Sequence, residues 1–142
     1  MRADDLDEVL AIEETVYSHP WSRGNFLDSL YNGYETWVVR DAKHVLVGYF
    51  LMMMAIDEAH LLNISVKAQL QGRGIGRRLL DKVSTLASEL GMHSLLLEVR
   101  PSNVRALAIY KQYGFSQIGI RKNYYPAAEN QREDAIVMRL AL

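Results

Sequence analysis

Cysteine is absent from the 142-residue sequence. That one absence removes disulfides, thiolate metal sites and a thiol nucleophile together. It fits a reducing compartment, and the expected location is cytoplasmic. No long apolar run is present either. The longest, Val45 to Ile56, has the length of one strand or a short buried helix, whereas a bilayer span takes roughly 20 residues. The opening Met-Arg-Ala-Asp-Asp-Leu-Asp is acidic and lacks a signal-peptide core. Charge of one sign is not in excess: the net charge is −1 and the pI about 6.4. No global basic field draws the chain to nucleic acid or anionic lipid, so neither partner is expected. The four histidines, at 19, 44, 60 and 93, lack ligand spacing, and no metal is expected. Asn63-Ile64-Ser65 matches a glycosylation sequon but sits in an apolar strand, where the match is read as chance.

The composition that remains, 49% hydrophobic and 23% charged, is that of a folded protein rather than a disordered one. There is no repeat, low-complexity tract or linker, so residues 1–142 are read as a single domain. From Asp4 to Tyr17, Leu6, Val9, Leu10, Val16 and Tyr17 recur at spacings of three and four, with Glu13 in phase; this predicts a helix. Pro20 breaks it. Ser22 can cap a second helix carrying Phe26, Leu27 and Leu30, which ends near Asn32-Gly33. Thr36–Arg40, Val45–Met54 and His60–Val66 read as three strands with tight connections. Apolar residues at 75, 79, 80, 83, 86, 87 and 90 predict an amphipathic helix stopped by Gly91. Ser94–Val99 reads as a buried strand. Asn103 opens a helix that runs to Tyr113 and Gly114. Phe115–Tyr125 and Asp134–Leu140 close the chain as strands. The order αα-βββ-α-β-α-ββ predicts an α/β (α+β) domain on one mixed, mostly antiparallel sheet flanked by helices.

One stretch concentrates chemistry. Leu-Gln-Gly-Arg-Gly-Ile-Gly-Arg-Arg, residues 70–78, places three glycines within five residues at the exit of a strand and the start of a helix. Helix N-termini present unpaired N–H groups and a positive dipole end, and glycine lets a phosphate approach the backbone. A nucleoside-triphosphate loop is excluded, because no lysine is followed by Ser or Thr. A dinucleotide fold fits Gly72 and Gly74, but its third position is Arg77 and the preceding strands are antiparallel. A glycine-rich turn without a ligand is the bland reading.

Glu98 interrupts the leucines of Ser94–Val99. Alternation puts it with Leu96 on one face and Leu95, Leu97 and Val99 on the other. An acid there is either a general base in a cleft or a strand-end carboxylate, solvated or paired to Arg100. Ala106, Ile109, Tyr110 and Tyr113 fall on one helix face, which reads as packing when taken alone. Trp21, Tyr124 and Tyr125 are placed in loops. Aromatics there cost little entropy to order, so they are candidates to line a cleft; Trp21 is equally read as packing.

Gln71-x-x-Gly74-x-Gly76 is similar to the pyrophosphate loop of the GCN5-related N-acetyltransferase (GNAT) superfamily. The element order is similar from first helix to last strand. "HPWS" (19–22), "LLNISV" (61–66), "LLLEVRPSNVRALAIYKQYGF" (95–115), "RKNYYP" (121–126) and "REDAIVM" (132–138) resemble the bacterial ribosomal-protein alanine N-acetyltransferase family (RimI type). Such members have a further strand before the first helix. Here only Met1-Arg2-Ala3 precede Asp4, so that strand is expected to be truncated.

The resemblance implies acetyl transfer from acetyl-CoA, as cosubstrate, to the N-terminal alanine amine of small-subunit ribosomal protein eighteen. It implies direct attack in a ternary complex; a cysteine acyl-enzyme is impossible without cysteine. It implies Glu98 as proton acceptor and Tyr110 as the acid for the leaving thiolate. Ile64, Ser65 and Val66 would lie along the acetyl group and pantetheine arm. Gln71, Gly72, Arg73, Gly74, Ile75, Gly76 and Arg77 would hold the pyrophosphate, with Asn103 on the cofactor from the next helix. Trp21, Tyr124 and Tyr125 would contact the peptide. Two other functions remain: an acetyltransferase for a small amine or lysine side chain, and a silent acetyl-CoA-binding module. Oligomeric state is not legible.

Overall fold

A computed structural model describes residues 1–142. Six strands and four helices follow the expected order: α1 (Leu6–Val16), α2 (Arg23–Tyr31), β1 (Glu35–Arg40), β2 (Leu46–Met54), β3 (Glu58–Val66), α3 (Ile75–Glu89), β4 (Ser94–Val99), α4 (Val104–Tyr113), β5 (Ser116–Pro126) and β6 (Arg132–Ala141). Short 3-10 turns precede α1, α3 and β6. The hydrogen-bonded strand order is β1-β2-β3-β4-β6-β5. The β1–β2, β4–β6 and β5–β6 pairs are antiparallel, and β3–β4 is parallel. This is the mixed, mostly antiparallel sheet with helices that the pattern predicts. No strand precedes α1; the Met1 amino group instead donates to the Thr36 carbonyl on β1 at 2.6 Å.

The chain divides into two compact units. The first comprises Met1–Met53 and Leu62–Thr85. Its core is a cluster of Leu6, Val9, Ile12, Phe26, Leu46, Tyr49 and Leu51. Helix α1 starts one 3-10 turn later than expected, at Leu6, and ends where Tyr17 turns extended. Ser22 caps α2 as predicted, accepting from the Asn25 N–H. Strand β2 is buried without alternation from Leu46 to Met52, which is why its sequence is a continuous apolar run.

The second unit comprises Met54–Leu61 and Leu86–Leu142. Strand β4 alternates as read: Leu95, Leu97 and Val99 are buried, while Leu96 and Glu98 on the other face are less fully covered. Helix α4 begins after Asn103, whose Oδ1 accepts from the Ala106 N–H at 3.3 Å, and stops at Gly114 with φ +123°. Its inward residues are Ala106, Leu107, Tyr110 and Tyr113; Ile109 is exposed, so the expected face is rotated toward Leu107. Strand β5 continues one residue further than expected, to Pro126, and β6 starts two residues earlier, at Arg132.

Candidate active site

In the first unit, the exit of β3 is fixed by the Lys67 N–H, which donates to the Val47 carbonyl at 2.8 Å. After one 3-10 turn, Gln71 is extended and its Nε2 donates to the Val66 carbonyl at 3.1 Å. The side chain expected on the cofactor therefore also pins the loop to the strand it leaves. Gly72 and Gly74 take left-handed backbone, φ +81° and +86°, which side chains rarely adopt. Helix α3 starts at Ile75, and its first turn closes with the Arg78 N–H on the Gly74 carbonyl at 3.1 Å. The N–H groups of Ile75 and Gly76 lie ahead of that ladder. A Cβ at Gly74 would meet nothing within 4 Å, and one at Gly76 only Val66, at 3.8 Å. At Gly76, then, packing within the chain does not demand glycine, and the turn is open to an outside group. Arg73, Arg77 and Arg78 are exposed around it. Open backbone, a helix start and arginines fit a pyrophosphate.

Upstream on β3, Ser65 and Val66 are buried. The Ser65 hydroxyl lies 3.0 Å from the Tyr17 hydroxyl and 3.2 Å from Asn63 Oδ1 and shares its one proton between them, so what Ser65 can offer a cofactor is backbone. The Ile64 carbonyl accepts from the Tyr17 hydroxyl at 2.6 Å. Behind them lies Glu13, 1% exposed. Its Oε1 accepts from the Tyr49 hydroxyl at 2.6 Å and Asn63 Nδ2 at 2.9 Å, and its Oε2 from the Trp21 N–H at 2.9 Å. Burial first, and then the Glu13 charge, pushes the Tyr49 hydroxyl far above its ordinary range. The Trp21 ring tilts onto Phe26 at 5.2 Å and packs on the core cluster. Of its two readings, packing is what the structure displays.

The second unit assembles the candidate base. The Glu98 side chain is 10% exposed. Its Oε1 accepts from an Arg121 guanidinium nitrogen at 2.9 Å and lies 3.5 Å from His60 Nε2. Arg121 also stacks over the Tyr124 ring at 4.7 Å. The acid is thus paired to Arg121 and not to Arg100, which instead binds Glu133 and the Pro126 carbonyl. Burial lowers the His60 pKa; Glu98 opposes that shift and Arg121 adds to it. Burial raises the Tyr124 and Tyr125 hydroxyls, and the Glu98 charge raises both further.

Tyr124 and Tyr125 are not in a loop. They sit at the end of β5, Tyr124 within the register shift between Arg121 and Tyr125 and Tyr125 where pairing resumes, and meet edge-on at 4.9 Å. Asn123, φ +52°, makes the kink that a sequence reader takes for a loop. Tyr125 lies under the Arg100 guanidinium at 4.4 Å. Tyr110 packs edge-on to Phe115 at 5.7 Å and is among the groups that raise Tyr125. His60 and Arg121 were missed in the sequence. Arg121 reaches Glu98 from β5, and His60 reaches it through the parallel β3–β4 register that pairs His60 with Leu96.

A family model described as "Acetyltransferase (GNAT) family" matches residues 6–115. The chain belongs to that family and is an acetyl-CoA-dependent N-acetyltransferase. It is 34% identical to the [ribosomal protein bS18]-alanine N-acetyltransferase of Escherichia coli K12, over 100% of this chain and 95% of that protein. It is 36% identical to the protein of the same name in Salmonella typhimurium, over 97% and 92%. The crystal structure of the ribosomal-protein-S18-alanine N-acetyltransferase from Escherichia coli superposes with a TM-score of 0.89, at 34% identity, covering 99% of this chain and 90% of that one.

Proposed function

We propose that this chain, as one domain over residues 1–142, acetylates the N-terminal alanine of ribosomal protein bS18. The observation that carries the chemistry is Glu98, a carboxylate nine-tenths covered on a strand face, with Arg121 donating to it and His60 beside it. An α-ammonium has a pKa of about 7.7–8.0, so a modest base suffices near neutrality. Glu98 takes a proton from the ammonium, and the amine nitrogen attacks the thioester carbonyl carbon. The C–S bond breaks, and the thiolate takes a proton from the Tyr110 hydroxyl. The surplus proton on the new amide nitrogen balances the one Tyr110 gives up. Strand N–H groups at Ile64–Val66 receive the carbonyl oxygen. The turn from Gln71 to Arg77 carries the pyrophosphate, and Asn103 contacts the cofactor beside its capping role. Tyr124 and Tyr125 receive the peptide. No acyl-enzyme intervenes.

The near-complete coverage of relatives named for bS18 supports the substrate reading. The test is mass spectrometry after incubation with acetyl-CoA. Three acceptors are compared: the bS18 N-terminal peptide, the same peptide with a blocked N-terminus, and a lysine peptide. One acetyl group on the free alanine peptide alone supports the proposal. Acetylation of lysine refutes the substrate, and acetylation of nothing refutes both substrate and mechanism.

A further inference from the structure

The Arg-Glu-Asp triplet at 132–134 has no place in the reaction just described. All three side chains nevertheless converge on the aromatic end of β5 or its neighbours. Arg132 Nε donates to the Asn123 carbonyl at 3.0 Å and Nη2 to the Tyr124 carbonyl at 2.8 Å. Asp134 accepts from the Asn123 N–H at 2.9 Å and from Lys122 Nζ at 3.4 Å. Glu133 accepts from the Ser102 N–H and hydroxyl, both at 2.9 Å, and from Arg100 at 3.2 Å. Arg100 in turn donates to the Pro126 carbonyl at 2.7 Å and covers the Tyr125 ring. The segment so held is irregular. Ladder register is lost between Arg121 and Tyr125, and Asn123 is left-handed. A bulge leaves backbone groups outside the ladder, and something else must satisfy them.

We propose that Arg132, Glu133 and Asp134 form a three-point clamp that sets the pose of Tyr124 and Tyr125 for the acceptor. The inference rests on the reading of those tyrosines as the peptide site. Arg132 and Asp134 hold the kink from opposite sides, one on its carbonyls and one on its N–H. Glu133 ties the far end, through Arg100, to the turn that starts α4. None of the three touches the acceptor; they are positioning residues. Within this chain Asn-Tyr-Tyr-Pro makes a kink that Arg-Glu-Asp holds.

The test is kinetic, with the bS18 N-terminal peptide as acceptor. Arg132→Ala and Asp134→Ala are expected to raise the acceptor KM about three- to tenfold, the loss of one or two exposed hydrogen bonds. The acetyl-CoA KM and the melting temperature should stay unchanged. Asp134→Asn keeps an acceptor for the Asn123 N–H and should restore most of the loss. Amide hydrogen exchange at Asn123 should quicken in Asp134→Ala and not in Asp134→Asn, whether or not the peptide is turned over. If Tyr124→Ala raises the acceptor KM but neither alanine variant does, the clamp is refuted and the peptide site stands. If Tyr124→Ala has no effect either, the peptide site itself is refuted. Equal rises in both KM values, or unchanged exchange at Asn123, also overturn the clamp.

Discussion

Glu13→Gln replaces two carboxylate oxygens with one oxygen and one NH2 in a site that presents donors to both. Oε2 faces the Trp21 N–H, and Oε1 faces the Tyr49 hydroxyl and Asn63 Nδ2. If the amide oxygen faces Tyr49 and Asn63, its NH2 opposes the Trp21 N–H. If it is flipped, the NH2 opposes Asn63, whose own carbonyl is already held by Ser65. The tyrosine hydroxyl can turn to accept, but the other two donors cannot. One buried donor pair is left facing in either pose, and one charge-assisted bond is lost. A hydrogen bond to a charged group is worth about 1.5–3 kcal/mol, and leaving a buried donor unpaired costs about 1–3 kcal/mol; the two overlap, so the expected loss is about 2–3 kcal/mol. At the entropy of unfolding of a chain this size, that is a fall in Tm of about 7–10 °C. Thermal melts of the wild type, Glu13→Gln, Tyr49→Phe and the double variant measure it. Tyr49→Phe should cost less in the Glu13→Gln background than alone, because one of its partners has gone. A Glu13→Gln melt within a degree or two of wild type refutes the reasoning, and strict additivity refutes the direct Tyr49 contact.

Glu98→Gln should spare acetyl-CoA binding and slow turnover about 10²- to 10³-fold, most at lower pH where more of the amine is protonated; a steady-state pH series checks this, and unchanged rates remove Glu98 as base. Gly76→Ala adds a methyl group that meets only Val66 within the chain, so stability should hold while acetyl-CoA affinity falls several-fold by calorimetry; unaltered affinity means the turn holds something else. His60 has a folded pKa below its ordinary value of about 6.5, chiefly from burial between Glu98 and Arg121. The unfolded chain therefore binds more protons in the window just below that value. Stability is full above about pH 6.5 and is lost as the pH falls through the window. Urea titrations across that range should show a steeper loss for wild type than for His60→Gln, and parallel curves refute the assignment.

The element order was legible because each boundary carries its own local chemistry. Ser22 and Asn103 cap the helices that follow them, and left-handed Gly91 and Gly114 end theirs. The apolar run of β2 fitted a strand or a short buried helix in length, and its burial without alternation shows only in the structure, whereas the Glu98 face followed from alternation alone. What stayed hidden depends on pairing across the chain. His60 meets Glu98 through the register of a parallel pair, and Arg121 reaches it from β5. Glu13 was in phase with the apolar stripe of α1, but nothing local says that Tyr49, Asn63 and the Trp21 backbone would share its oxygens. The expected strand reached Tyr125, but the register break before Tyr125 and the left-handed Asn123 depend on pairing with β6 and leave no local signature.

The last strand in the sequence is not the last in the sheet. β6 lies between β4 and β5, and β5 bonds to β6 alone. During synthesis β5 therefore emerges without a partner, and β4 waits across about 33 residues of chain for its antiparallel neighbour, a non-local closure of the slow kind. Until β6 arrives, β5 is an unpaired strand carrying Ile118 and Ile120, both more than half exposed even in the finished fold. A frameshift or nick that removes β6 would orphan β5 and leave β4 paired on one side only, with β3. The strand that ends this exposure also carries Arg132, Glu133 and Asp134. The vulnerable interval in the life of the chain thus closes in the same event that organises the Tyr124–Tyr125 end.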